Sequence, residues 1–373
     1  MSLFNDLPPP SLNDVPANGT KKTVTVIRST GGKPEQAKVD KQAKEQCPDA
    51  ISQKRPLTDA TSLSSPLPKQ QRLGNCFLAR LKSFFAERKG ERDEMQDAHV
   101  MLDDCTEDYP QLASKVSRVA YFAVFDGHGG AHASQHAAKR LHVYLSQKLP
   151  KGDVSNFDKE LKMQIIDSFK KLDEEFLKEA SQKKPVWKDG STACCVLILD
   201  DTLYIANLGD SKAILCRYQS DSKKHVPLLL SKDHNPSNYE ERMRIQKAGG
   251  SVREGRVLGM LEVSRSIGDG QYKRCGVINV PDVKRCQLNS NDRFILIACD
   301  GLWKVFSPDA AIQFVLDVLQ DNSILPPEGC TRSLEAFRFE TACNKLASEA
   351  VRKGSADNVT VVIVSVQKLD KKQ

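Results

Sequence analysis

Three apolar runs in this chain each abut an aspartate that sits beside glycine or asparagine. The run at 119–125 (VAYFAVF) stops at Asp126 and Gly127, and the run at 294–299 (FILIAC) stops at Asp300 and Gly301. Asp357 and Asn358 open the third, at 359–364 (VTVVIV). Runs of this length, rich in Val, Ile and Phe, read as buried strands and commit the chain to a β-rich core. A strand that ends in a carboxylate, against a glycine that lets the chain turn sharply, holds an oxygen ligand rigidly at a sheet rim. Three such deliveries, with His128 two residues past the first, point to a site for hard divalent cations and to hydrolytic chemistry.

Around these runs the pattern is mixed. Residues 159–182 carry Leu161, Ile165, Phe169, Leu172, Phe176 and Ala180 at intervals of three and four, an apolar stripe on a long helix. Ala137, Leu141, Tyr144 and Leu145 mark a second helix over 132–149. Short β-rich runs at 192–199, 202–207 and 212–217 are joined by turn-type residues of hairpin length, and predict a meander. A helix over 239–248 stops at Gly249 and Gly250, and Ser307, Pro308 and Asp309 form a helix start. A last helix over 333–353 leads through Gly354 to Asp357. Many strands with long amphipathic helices predict sheets covered by helices, an α+β class.

Residues 1–75 stand apart. They hold half of the prolines and one aromatic residue, Phe4, too little apolar surface to offset the entropy of ordering. A disordered tail over 1–75 and one folded domain over 84–368 are expected. The net charge of +7 is mild, and the tail accounts for four units of it, so nucleic acid is not an expected partner. Eleven cysteines, without a C-x-x-C pair and several inside apolar runs, suit a reducing compartment: cytoplasm, with a nuclear pool also allowed by the tail's basic residues. Neither a signal peptide nor a membrane span is expected, and nothing demands more than a monomer.

The chemistry follows from the residue types. Carboxylates with a backbone carbonyl suit Mg²⁺ or Mn²⁺ better than zinc, which prefers His and Cys. Two such ions roughly 3.5–4 Å apart would clamp an in-line displacement at phosphorus. Asp126 is the natural bridge between them, with the Gly127 carbonyl on one ion and Asp300 and Asp357 on the other. His128 is placed to protonate a leaving oxygen, and Arg92 to grip phosphate oxygens. Taken singly, each has a plainer reading: a strand-end Asp is a turn former, His128 a helix-entry histidine, Arg92 a solvated charge.

The whole set resembles the metal-dependent, type-2C family of protein serine/threonine phosphatases. The resemblance runs from about 86 to 366 through ordered segments. These are 92–99 (RDEMQDAH), 125–130 (FDGHGG), 189–193 (DGSTA), 206–211 (ANLGDS), 232–236 (KDHNP), 264–269 (SRSIGD), 298–303 (ACDGLW) and 354–358 (GSADN). It implies an αββα four-layer sandwich, two antiparallel sheets flanked by helix pairs. It implies two Mg²⁺ or Mn²⁺ ions on Asp126, Gly127, Asp300 and Asp357, and direct attack by water without a phosphoenzyme. In this pattern Arg92 binds phosphate and His128 is the acid, acting on phosphoprotein substrates. Segments 86–91, 239–246 and 268–275 are similar to a branch of the family that carries a kinase partner, although no residue here displays that contact.

Two positions depart from the family. Gln96 stands where many members have a Glu near metal-bound water, which implies slightly weaker metal affinity. Lys304 replaces an Asp that, with Asp210, helps hold a weak third ion in those relatives. A lysine there opposes a third ion, since two charges about 4 Å apart repel by roughly 4 kcal/mol at an effective dielectric near 20. The competing function classes are a partner-binding scaffold without turnover and a nucleotide-binding enzyme. The first would show no Mg²⁺-dependent hydrolysis of a phosphopeptide. The second fails because no G-x-x-x-x-G-K-[ST] loop occurs and Asp126 would repel a bare phosphate.

Overall fold

The computed structural model describes residues 79–112, 115–148 and 157–368, so the expected tail over 1–75 lies outside the described residues. Ten strands build the frame: β1 (Ala79–Arg88), β2 (Ala98–Leu102), β3 (Val119–Phe125), β4 (Ala193–Leu199), β5 (Thr202–Leu208), β6 (Lys212–Gln219), β7 (Lys224–Leu229), β8 (Asp282–Gln287), β9 (Asp292–Ala298) and β10 (Val359–Lys368). They form two five-stranded sheets, ordered β1-β10-β9-β6-β7 and β8-β5-β4-β3-β2. Every neighbouring pair in both sheets is antiparallel.

The alternation of side chains along a strand explains why the apolar runs are unbroken. In β3, Phe122 and Val124 join Ile295 and Ile297 of β9 and Val362 and Val364 of β10 in one core between the sheets. Tyr121, Ala123 and Phe125 point the other way, into a core with Leu141 of α1 (His132–Lys148) and with Leu161, Phe169 and Leu172 of α2 (Phe157–Ser181). After α3 (Tyr239–Lys247), helices α4 (Pro308–Gln320) and α5 (Leu334–Arg352) cover the opposite sheet. There Ile312, Val315, Phe339 and Leu346 pack on Phe294 and Leu296. The result is the expected four-layer αββα order.

All six residues of the predicted α2 stripe are buried. The start signal at 307–309 holds too: the Ser307 side chain accepts a hydrogen bond from the Ala310 amide, with Pro308 opening α4. Two expectations change. The first described strand begins at Ala79, ahead of the boundary at 84, because β1 pairs along its whole length with β10. The meander also breaks. Asp200 and Asp201 do join a hairpin, β4 to β5, but residues 209–211 carry the chain from one sheet to the other. Lys212 pairs with Ala298 of β9, not with β5.

Candidate metal centre and catalytic cleft

The strand ends meet at one rim for a topological reason. β9 and β10 are antiparallel neighbours with Ala298 opposite Val361, so the end of β9 and the start of β10 lie side by side. Asp300 and Asp357 follow and precede those ends. Asp126 lies beyond β3 in the facing sheet, and the β5-to-β6 crossing brings Asp210 to the same place. Carboxylate oxygens of Asp126, Asp210 and Asp300 all lie within 4.8 Å of one another. Oxygen ligands at 2.0–2.6 Å from one cation can be about that far apart.

Glycines make the approach possible. A Cβ on Gly127 would sit 2.1 Å from the Gln96 carbonyl oxygen, and one on Gly301 would sit 2.0 Å from that of Asn358. Only glycine lets these backbones touch, and each touch seats the preceding aspartate.

The electrostatics show what the site suits. Burial pushes the Asp126 carboxyl well above the usual range, and the charges of Asp97, Asp300 and Asp210 push it further the same way. Burial likewise lifts Asp97 and Asp210, each to about 7. Asp97 is 7% exposed; one of its oxygens accepts from Thr360 and the other is buried without a hydrogen-bond partner. A self-repelling carboxylate cluster with an orphaned buried oxygen fits divalent cations and their waters.

The remaining predicted residues line the same cleft, of about 400 Å³: Arg92, Gly127, His128 and Asp357, together with Asp126 and Asp300. Asp357 is tied differently from the other carboxylates. Its Oδ1 accepts from the Asn358 amide, and its Oδ2 accepts from Arg92 at 2.8 Å and Lys304 at 3.2 Å. Burial acts to raise its pKa, but Lys304, the Asn358 amide and Arg92 outweigh that and lower it. The Lys304 ammonium also lies 2.6 Å from Asp300 and 3.7 Å from Glu262, so it bridges Asp357 to the cluster.

His128 pairs through Nε2 with the Asp269 carboxylate at 2.7 Å. Burial would lower the imidazole pKa, but the charge and hydrogen bond of Asp269 prevail and raise it. Asp269 was not among the sequence-predicted site residues, although it closes the family-like segment 264–269 (SRSIGD).

Arg92 is held by a residue noticed only as a neighbour of Asp357. The buried Asn358 side chain donates to the carbonyls of Lys89 and Glu94 and accepts from the Gln96 amide, clamping the 89–96 loop to the rim. Asn358→Leu would strand those groups at roughly 2–4 kcal/mol. Denaturant melts should show that loss, and KM for a phosphopeptide should rise as Arg92 loosens. An unchanged KM would count against the clamp.

Over residues 81–359 the chain matches the family described as Protein phosphatase 2C. The chain belongs to the protein phosphatase 2C family. It is similar to the integrin-linked kinase-associated serine/threonine phosphatase 2C of Homo sapiens, 64% identical over 286 residues that span 77% of this chain and 72% of the relative. The Bos taurus protein of the same description is 54% identical over 364 residues, 98% of this chain and 93% of the relative. Among solved structures, a serine-threonine phosphatase 2C from Toxoplasma gondii superposes with a TM-score of 0.62 at 22% identity, covering 79% of this chain and 96% of that one. That likeness supports the fold. The chain is thus a protein serine/threonine phosphatase of a metal-dependent family, with phosphoproteins as its substrates.

Proposed function

We propose that this phosphatase works with two Mg²⁺ or Mn²⁺ ions held by Asp126, the Gly127 carbonyl, Asp300 and Asp357, with Asp126 shared between them. The observation that carries this reading is the convergence of Asp126 and Asp300 from two sheets on a cleft that also contains Arg92, His128 and Asp357. Bound there, the ions supply the charge that lowers the pKa of a water and neutralises phosphoryl oxygens. The chain's own side chains do the rest. Arg92 grips the phosphate of a phosphoserine or phosphothreonine and orients it for in-line displacement. The orphaned Asp97 oxygen, buried behind Asp126, would accept a hydrogen bond from an enclosed water. His128 holds the proton that the departing serine or threonine oxygen needs. Hydrolysis of a phosphothreonine peptide should vanish with EDTA and return with Mn²⁺ or Mg²⁺. Turnover that persists in excess chelator would overturn the reading.

Lys304 limits the ions to two, standing as a tethered cation between Asp300, Asp357 and Glu262. Burial would depress the Lys304 pKa, but Asp300 outweighs that and raises it, so the charge is permanent at neutral pH. Replacing Lys304 with Asp should add one weaker divalent site, visible as increased Mn²⁺ stoichiometry in calorimetry. Unchanged stoichiometry would sink the idea.

The relatives' description supports association with integrin-linked kinase; action in that kinase's signalling and in control of cell proliferation, in the cytoplasm with a nuclear pool, is proposed along with it. The chain is proposed to act as a monomer through one catalytic domain, 84–368 with the rest of β1, without membrane or nucleic-acid partners. Among the described residues no helix is long and apolar enough to cross a membrane. Calorimetry with purified kinase tests the partnership, and absence of binding at micromolar concentrations would remove it.

A further inference from the structure

We infer that Asp269 is the positioning residue of the proton donor: it fixes the ring of His128 so that Nδ1 faces the departing oxygen. The inference rests on the general-acid role proposed above for His128.

The pair is built into the backbone. Residues 190–191 form the middle strand of a small three-stranded sheet, with 127–128 on one side and 267–268 on the other. His128 and Gly268 are both opposite Gly190, so the side chains of 128 and 269 come together over that glycine. A Cβ at residue 190 would lie 2.2 Å from both His128 Nε2 and Asp269 Oδ2. Glycine at 190 is what lets the pair close.

Asp269 is itself held in an uncommon conformation. Its φ is +53°, in the left-handed region that Asp and Asn tolerate better than most side chains. Its amide donates to the Asp189 carbonyl at 2.9 Å, and its carbonyl accepts from the Tyr272 amide at 2.8 Å. Next to it, the Gly268 amide donates to the buried Asp173 carboxylate at 2.7 Å. Such over-determined local geometry gathers at functional sites. The Asp269 side chain is 2% exposed, while the His128 side chain keeps 31% of its surface open, in the cleft that Arg92 and Asp126 line.

The chemistry follows from the occupied nitrogen. With Nε2–H donating to Asp269, the proton available for transfer is on Nδ1. As the water oxygen forms its bond to phosphorus, the bond from phosphorus to the serine or threonine oxygen breaks and its electron pair goes to that oxygen. The oxygen takes the Nδ1 proton, and the proton lost by the attacking water returns the imidazole to its starting form. Without Asp269 the ring can rotate and present the wrong nitrogen.

The test compares leaving groups. Asp269→Asn keeps the size and the left-handed tolerance of the residue, and Asp269→Gly keeps the backbone and deletes the carboxylate. On a phosphothreonine peptide, whose alkoxide needs a proton, kcat should fall about 10–100-fold with KM steady. On p-nitrophenyl phosphate, whose phenolate leaves unaided, the fall should stay within about threefold. Equal losses on both substrates would overturn the proposal, since a merely structural role affects both alike. Should the Asn variant fail to fold, the Gly variant carries the same comparison. His128→Ala separates the two layers of the argument. If its losses are also equal on both substrates, the acid role falls and Asp269 with it. If His128→Ala splits the substrates and neither Asp269 variant does, only the positioning role is wrong.

Discussion

Asp126→Asn is expected to lose at least about a thousandfold in kcat and still to melt at a higher temperature than the wild type in chelator. Both effects have one source. The half-buried carboxylates of Asp126, Asp210 and Asp300 have oxygens within 4.8 Å of one another, and charges at that spacing repel by roughly 3 kcal/mol per pair at an effective dielectric near 20. The amide takes one carboxyl out of this mutually repelling set and would remove the ligand proposed to serve both ions. The same balance gives a pH dependence. Asp97 and Asp210, with pKa values raised to about 7, hold protons in the folded state that the unfolded chain releases near pH 4. In chelator the folded state binds more protons, so wild-type stability should fall as pH rises from about 4 to about 7, then level off. Saturating Mn²⁺ should flatten that slope in the wild type and do less in the variant. Scanning calorimetry at several pH values reads all of this, and a variant less stable than wild type in EDTA would contradict it.

Gly301→Ala should be nearly as damaging by a steric route. The added Cβ would meet the Asn358 carbonyl oxygen at 2.0 Å and its carbon at 3.0 Å, both backbone atoms at the start of β10. Neither can swing aside, so the strand or the turn after β9 must move, at about 3 kcal/mol. Asp300 and Asp357 flank that contact and would move with it, and a shift near 1 Å costs on the order of a hundredfold in rate. Gly270→Ala is the matched control. Its Cβ would meet only the flexible tip of Leu177 at 3.1 Å, so stability and rate should stay close to wild type. Equal effects of the two substitutions would show that the close approach at 301 does not seat the aspartates.

Much of this was readable from sequence, for reasons that differ by element. The runs that became β3, β9 and β10 announce themselves because both faces of each strand are buried, which leaves no polar alternation. The α2 stripe is legible because one face packs on a flat sheet. β1 lacks such a run, and the boundary at 84 falls inside it: Arg80, Lys82 and Glu87 alternate with buried Ala79, Leu81 and Ala86, as suits an edge strand with one side toward solvent. The crossing at 209–211 looked like a hairpin because glycine and aspartate serve either purpose; the choice lies in the distant pairing of Lys212 with Ala298. The site divides along the same line. Asp126 and Asp300 carry their signal locally, in the strand that each one ends. Asp210, Asp269 and Asn358 act through partners 90 or more residues away or through a crossing between sheets, which spacing alone does not encode.

The most direct measurement is anomalous diffraction from crystals grown in Mn²⁺. Two peaks roughly 3.5–4 Å apart, both touching the Asp126 carboxylate and one within bonding distance of Asp300 and Asp357, are the expected result. A well-ordered cleft with manganese bound elsewhere, or with no peak on Asp126, would refute the binuclear centre.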